Sequence, residues 1–353
     1  MTLGESADVR IAAVGCGYWG PNVIRNLSEV PDFDLRWVCD ADAGHLRPVA
    51  ARYPSARATT RIDDIFDDAS VDAVYLATPV STHYELARRA LELGKHVLIE
   101  KPLATTIEQA EDLAELAAAR GVTLLVGHTF VFSPPVRKVK ELIDSGMLGP
   151  IYYVETTRVN LGLFQKDVSV LWDLGPHDVS ILIYWLGDVP LQVSARGRSY
   201  MDEGEALEDV AFLTLEFPSG ILAQLQISWL APSKLRRTSI VGRQKMIVYD
   251  DLEPVEKVKI YDRGVDRQPA SFGEFQLTYR SGDILSPRLD TSEPLKLECE
   301  HFLECIRTGR IPDASPQSGV DVVRVIHAAE RSMRRGGAPQ SVYEAGAAIE
   351  RSP

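Results

Sequence analysis

A short apolar strand that runs straight into three spaced glycines constrains this chain more than any other stretch. Val9, Ile11, Ala12, Ala13 and Val14 lead into Gly15-x-Gly17-x-x-Gly20, and a helical pattern follows. Gly15 permits a tight turn off the strand. Gly17 lacks the Cβ that would block backbone approach to a pyrophosphate, and Gly20 lets the next helix pack closely on the strand. The first free N–H groups of that helix, with the positive end of its dipole, suit an anion. Glycines at this spacing also occur in structural loops, so the context matters. Here the next expected strand, 35–39, ends in Asp40. That acid stands about 20 residues beyond the last glycine, where a carboxylate can accept hydrogen bonds from both adenosine ribose hydroxyls. Its charge repels a 2′-phosphate, which favours NAD over NADP. The alternative for Asp40 is a solvated turn residue.

With 353 residues the chain is long enough for two domains. The net charge of −12, with its one dense basic cluster at 331–335, argues against a nucleic-acid groove. Cys16, Cys39, Cys299 and Cys305 form no CxxC pair and show no metal-ligand spacing with histidine. They read as thiols of a reducing compartment. Residues 1–8 are polar, without the apolar core of a signal peptide. No uncharged stretch reaches the roughly 20 residues of a membrane helix. The expectation is a cytoplasmic protein.

Up to Val126, short apolar runs alternate with helical patterns over short connections, which predicts a doubly wound parallel sheet. The helical patterns over 82–93 and 107–120 stop at Gly94 and Gly121. In such sheets reactive groups gather at the carboxyl ends of strands. The glycine loop, Asp40, Thr78-Pro79, Glu100-Lys101 and Gly127-His128 all fall at such ends. From 151 onward, alternating strands are expected over 151–159, 191–200, 209–217, 221–229, 237–241 and 245–249, with Pro218-Ser219-Gly220 as a hairpin turn. A helix over 177–186 interrupts them, and two more follow over 295–307 and 320–334. Residues 251–294 lack clear periodicity and read as a surface excursion or lid. The expected fold class is an α/β Rossmann domain, residues 1–127, plus an α+β domain with an open, mainly antiparallel sheet, residues 128–353. A C-terminal helix of the latter is expected to pack back on the first domain.

Lys101 follows an apolar strand and Glu100, and Pro102 behind it forbids continuation of the ladder. A lysine held at that mouth can hydrogen-bond a substrate hydroxyl or carbonyl; the alternative is a surface lysine paired with Glu100. Asp173 and His177 lie four apart at the start of a helix and so share one face. The carboxylate can hold the imidazole in one tautomer, and the histidine can move a proton near neutral pH. Equally, Asp173 can be a helix N-cap with His177 packed above it. Thr78, Pro79 and His83 follow the third expected strand and border a candidate cofactor site, though His83 also suits a plain surface role. His128, among Phe130 and Phe132, reads as core. No P-loop, nucleophile elbow or zinc-protease motif is present.

Together these residues resemble the Gfo/Idh/MocA oxidoreductases. The likeness rests on VGCGYWG, Asp40, LATPVSTHYELA, HVLIEKPLA, VGHTFVFSP and WDLGPHDVSILIYWLG, which span almost the whole chain. The resemblance implies NAD as cofactor and hydride transfer between nicotinamide and a carbinol carbon of a sugar, cyclitol or related polyol. It implies dimers or tetramers formed through the second sheet. Lys101 is similar to the lysine that orients the substrate hydroxyl, His177 to the acid/base, and Asp173 to its partner. Implied cofactor contacts are Gly15, Gly17, Tyr18, Trp19, Gly20 and Asp40, followed by Thr78, Pro79, His83, Glu100 and Lys101. On the substrate side stand Lys101, His128, Asn160, Trp172, Asp173 and His177, with no metal ligand. One departure concerns the glycine-rich run that usually precedes the Asp–His pair. It is replaced by Asp167-Val168-Ser169-Val170-Leu171-Trp172, which alters the shape of the substrate pocket. The loop GYWGPN and the segment HTFVFSP are similar to members acting on nucleotide-linked or amino sugars. Two further readings are a catalytically silent sensor of NAD and ligand, and a reductase of a dihydrodiol or imine.

Overall fold

The computed structural model describes residues 8–162, 168–201, 207–268 and 276–343. Residues 1–7, and Asp167 of the run just noted, lie outside the described residues. The chain divides into two compact units, residues 1–133 with 292–323 and residues 134–291 with 324–353.

The first unit is built on β1 (Val9–Val14), in which every side chain but that of Arg10 is buried. Such a run suits a strand covered on both faces. It is followed by α1 (Gly20–Glu29), β2 (Phe33–Cys39), α2 (Ala43–Arg52), β3 (Arg57–Thr59), α3 (Asp63–Phe66), β4 (Ala73–Leu76), α4 (His83–Glu92), β5 (His96–Glu100), α5 (Ile107–Arg120) and β6 (Leu124–Gly127). The strands pair in the order β3-β2-β1-β4-β5-β6, all parallel. This is the Rossmann order, and the chain changes direction across the sheet between β1 and β4, where such folds hold dinucleotides. Sequence periodicity missed β3, because three residues at a sheet edge are too few to show a pattern.

The second unit begins with α6 (Pro134–Asp144), β7 (Ile151–Leu161) and α7 (Val170–Leu186). Seven strands follow: β8 (Gln192–Arg198), β9 (Val210–Glu216), β10 (Leu222–Ser228), β11 (Leu230–Gly242), β12 (Met246–Asp250), β13 (Val258–Gln268) and β14 (Gln276–Leu285). The chain then forms α8 (Pro294–Thr308) and α9 (Pro316–Arg334) and ends its described part near β15 (Gln340–Ser341). Nine strands pair in the order β14-β13-β12-β11-β7-β10-β9-β8-β15. Among the described strands of this sheet, only β7 and β10 run parallel to one another. In β9, Ala211, Leu213 and Leu215 are buried while Phe212 is exposed, the two-residue alternation of a sheet with one covered face. Helices α6 and α7 lie against the sheet, at β12 and β10 respectively.

Two expectations need correction. The segment 251–294, expected as a surface excursion or lid, is regular in its described part: β13 and β14 form an antiparallel ribbon that extends the sheet. Val258 and Ile260 at the start of β13 are buried, but farther along Arg263, Val265 and Tyr279 are exposed, so only two residues carry an apolar period. Helix α7 begins at Val170, seven residues before His177, despite Pro176 inside it. An interior proline costs a helical hydrogen bond. The early turns persist because Val170 and Leu171 are fully buried and the Val170 N–H donates to the Glu208 carbonyl.

Residues 292–323 complete the first unit. Glu293, at the start of α8, accepts hydrogen bonds from Arg25 and Asn26 of α1, and Phe302 is fully buried. The Val126 N–H on β6 donates to the Ala314 carbonyl, which occupies part of the sheet edge. Later in α9, the Ser332 hydroxyl accepts from the Ala195 N–H of β8.

Candidate functional site

The three loop glycines have different surroundings. Gly15 has φ +98°, and a Cβ on it would collide with the Ala77 carbonyl. A Cβ on Gly20 would collide with the Gly15 carbonyl, whereas the Cβ position of Gly17 faces open space. Two glycines therefore serve packing, and the third leaves a bare backbone cradle of the kind a pyrophosphate needs. The Asp40 carboxylate is tied to this loop: Oδ2 accepts from the Cys16 N–H at 2.7 Å and Oδ1 from the Asp42 N–H at 2.8 Å. It is not a free turn residue, and each oxygen keeps a lone pair for a ribose hydroxyl. The residues present fit a bound dinucleotide.

Across the same strand ends, the Glu100 carboxylate is a junction. Its Oε1 accepts from the Trp19 indole N–H at 2.7 Å and from the Tyr75 hydroxyl at 3.1 Å. The backbone N–H of Lys101 donates to the same carboxylate. Burial pushes the Glu100 pKa up to about 6 against these hydrogen bonds and the Lys101 ammonium. A Cβ on Gly127 would stand 3.1 Å from Glu100 Oε2 and 3.2 Å from its Cα, so glycine there makes room for the side chain. Beneath lies Glu298 of α8, buried, with Oε2 accepting from the Thr129 hydroxyl at 3.0 Å. Burial, then the charge of Glu100, holds its pKa well above the carboxylate range.

Thr78 and Pro79 follow β4, and Thr82 donates its hydroxyl to the Thr78 hydroxyl and also contacts the Pro79 carbonyl at 2.7 Å. His83 is buried, with Nε2 2.9 Å from the Thr78 carbonyl and Nδ1 2.9 Å from the Pro102 carbonyl. The ring thus straps the loop after β4 to the segment after β5. Burial, and then the nearby Lys101 ammonium, lower its pKa against the two carbonyls. His128 is also buried, and neither ring nitrogen has a hydrogen-bond partner among the described residues. Burial and Lys101 drive its pKa down to about 3, so its imidazole is neutral. Tyr18 is 88% exposed beside Gly17.

The second unit carries the other predicted residues. Asn160 is half-buried near the carboxyl end of β7. Trp172, Asp173 and His177 lie on α7, with Asp173 and His177 one turn apart. Ser169, not Asp173, occupies the N-cap position. The Asp173 carboxylate instead accepts from the Trp229 indole N–H at 3.2 Å, and Trp172 donates to Glu330 at 2.8 Å with its ring edge-on to His327. Immediately after His177, Asp178 receives Arg158 of β7 in a two-pronged ion pair, Nε to Oδ2 at 2.7 Å and Nη2 to Oδ1 at 3.2 Å. Both side chains are 5% exposed, and the Thr156 hydroxyl adds a third contact to Asp178. This pair pins the helix at His177 to the sheet. Sequence reasoning placed Gly127 at a strand end, but missed Tyr75, Arg158, Asp178, Trp229 and Glu298, none of which carried a local signal. Among the described residues no helix is long and apolar enough to cross a membrane.

Comparison with known proteins agrees with this arrangement. The model of an oxidoreductase family with an NAD-binding Rossmann fold matches residues 9–128, and the GFO/IDH/MocA C-terminal domain matches residues 136–248. The chain is 29% identical over 343 residues to scyllo-inositol 2-dehydrogenase (NAD(+)) of Bacillus subtilis, covering 93% of this chain and 95% of that one. It is 28% identical over 304 residues to UDP-N-acetylglucosamine 3-dehydrogenase of Acidithiobacillus ferrooxidans, covering 86% and 90%. The crystal structure of GenD2 from gentamicin A biosynthesis, in complex with NAD, superposes with a TM-score of 0.79 at 27% identity over 95% of this chain and 97% of that one. On the two matched domains and the sheet order beneath them, the chain belongs to the GFO/IDH/MocA family of oxidoreductases.

Proposed function

We propose that this chain is an NAD-dependent dehydrogenase or ketoreductase acting on a secondary hydroxyl or keto group of a sugar, nucleotide-linked or amino-bearing. The observation that carries the reading is the meeting, at one end of the parallel sheet, of a bare glycine cradle, an anchored Asp40 and the Glu100-Lys101 junction. Bound nicotinamide would supply the hydride acceptor. Asp40 favours NAD, since a 2′-phosphate would meet its charge. Lys101 stabilises the alkoxide as negative charge grows on the substrate oxygen. His177 takes the hydroxyl proton, with Asp173 on the same helix face orienting the imidazole. The relative that acts on UDP-N-acetylglucosamine supports the sugar assignment, and the scyllo-inositol dehydrogenase supports a cyclitol as the second reading.

Lys101→Ala and His177→Ala should each lower kcat by about 10²-fold or more, the usual contribution of such groups, while the Kd for NAD measured by calorimetry stays within about threefold. Near-normal rates in either variant reject the roles. Failure of the unaltered protein to turn over a panel of nucleotide sugars and cyclitols, with NAD binding intact, selects the silent sensor instead.

We further propose that the nine-stranded sheet joins copies of the chain in a dimer or tetramer. On its uncovered face Tyr153 and Leu222 are exposed neighbours in register. Paired exposed apolar residues of this kind suit an interface. Sedimentation velocity at micromolar concentration tests it, and a monomer rejects it.

A further inference from the structure

The sequence GYWG places a bulky indole, already among the implied cofactor contacts, between the second and third glycines. Trp19 is 39% exposed, and its N–H reaches across to Glu100, 81 residues away in sequence. Its carbonyl accepts from the Asn22 N–H in the first turn of α1, so the residue is fixed to the helix that would face the phosphates. Glu100 in turn receives the backbone N–H of Lys101. One carboxylate therefore holds both the glycine loop and the backbone that presents the lysine.

We infer that Trp19 is a positioning residue: through its indole N–H on Glu100 it couples occupation of the glycine loop to the setting of Lys101. The inference rests on the dehydrogenase reading and deepens it. A dinucleotide seated on Gly17 bears on the loop that carries Trp19, and its arrival is passed through the indole to Glu100 and from there to the backbone that presents Lys101. The link depends on the ionisation of Glu100, because a charged acceptor roughly doubles the strength of such a bond. The groups that act on Glu100 are the Trp19 indole from the loop, Tyr75 from β4 and Lys101 from its own segment; Glu298 and Cys299 interact with it from α8. Burial holds Tyr75 and Cys299 well above their ordinary ranges, so neither gains or loses charge between pH 5 and 8.

The test reads the indole directly. In protein labelled with ¹⁵N at tryptophan, the Trp19 N–H resonance is assigned from its loss in Trp19→Phe. It should titrate with a midpoint near 6, lose that titration in Glu100→Gln, keep it in Glu298→Gln, and move when NAD is added at pH 7. A resonance flat with pH, or one unmoved by NAD that calorimetry shows to be bound, overturns the inference. Absence of NAD binding rejects the function itself and is read first. In kinetics, Trp19→Phe removes one of two side-chain donors from Glu100, which should raise the acid limb of kcat/KM by about one pH unit. The loss should be about fivefold at pH 6, approach tenfold near pH 5 and nearly vanish at pH 8, with KM for NAD changed less than kcat. Tyr75→Phe should shift the limb in the same direction. An equal loss at all pH values in Trp19→Phe marks a merely structural role and rejects the proposal.

Discussion

Two carboxylates, Glu100 half-buried and Asp178 buried, stand next to the residues assigned to chemistry, and they are held in different ways. Glu100 precedes Lys101 and is bonded by neutral donors, an indole, a phenol and a backbone N–H. Asp178 follows His177 and is gripped by a guanidinium with two contacts. Burial is only partly offset by these neutral donors and the nearby Lys101 ammonium, so Glu100 is pushed up to about 6, close to the working range of an enzyme. The pair of Asp178 with Arg158 acts as a rivet between helix and sheet. The first arrangement is suited to being adjusted, the second to holding still.

The sharpest way to break this contrast is Arg158→Ala. It leaves a buried charge without its partner, so the protein should lose about 3–5 kcal/mol. At roughly 2–4 °C per kcal/mol for a body of this size, the Tm should fall on the order of 10 °C by calorimetry. A loss under about 1 kcal/mol would show that Asp178 has other support. Replacing both partners, Arg158→Met with Asp178→Leu, should recover most of the loss, because the penalty belongs to the orphaned charge.

Glu100 should answer with a smaller effect of the opposite sign. Its pKa rises from 4.5 in the unfolded chain to about 6 in the fold, so between these values the folded state binds more protons. Stability contributed by this group is therefore full below pH 4.5 and falls as pH rises through 6, by about 2 kcal/mol in total. Glu100→Gln should remove that slope and be more stable than the parent at pH 7–8 by up to this amount, while losing activity. Denaturant unfolding of the two proteins at pH 4.5, 6 and 7.5 measures it. Parallel stability curves would mean that Glu100 is better solvated than its burial indicates.

Features set by neighbours in sequence were legible from the chain alone. The strand into the glycine loop, Asp40 at the end of the next strand, and the alternation of β9 and β10 each follow from local periodicity and glycine placement. Long-range partners were not. Trp19 meets Glu100 across 81 residues, Trp229 meets Asp173 across 56, and Arg158 meets Asp178 across 20. Any indole or guanidinium in the chain could have filled those places. The start of α7 was misread because the rule against interior proline is a cost, and two buried apolar residues outweighed it. The ribbon β13–β14 was misread because burial at Val258 and Ile260 alone is too short a period to mark a strand pair.

The chain visits its first unit twice, and residues 292–323 supply Glu298, Phe302 and the carbonyl on the β6 edge. On the ribosome, the N-terminal half therefore waits, unsealed, through the synthesis of about 160 intervening residues. A fragment ending near residue 133 would expose the apolar seat of Phe302 and should be sticky rather than a tidy cofactor-binding module.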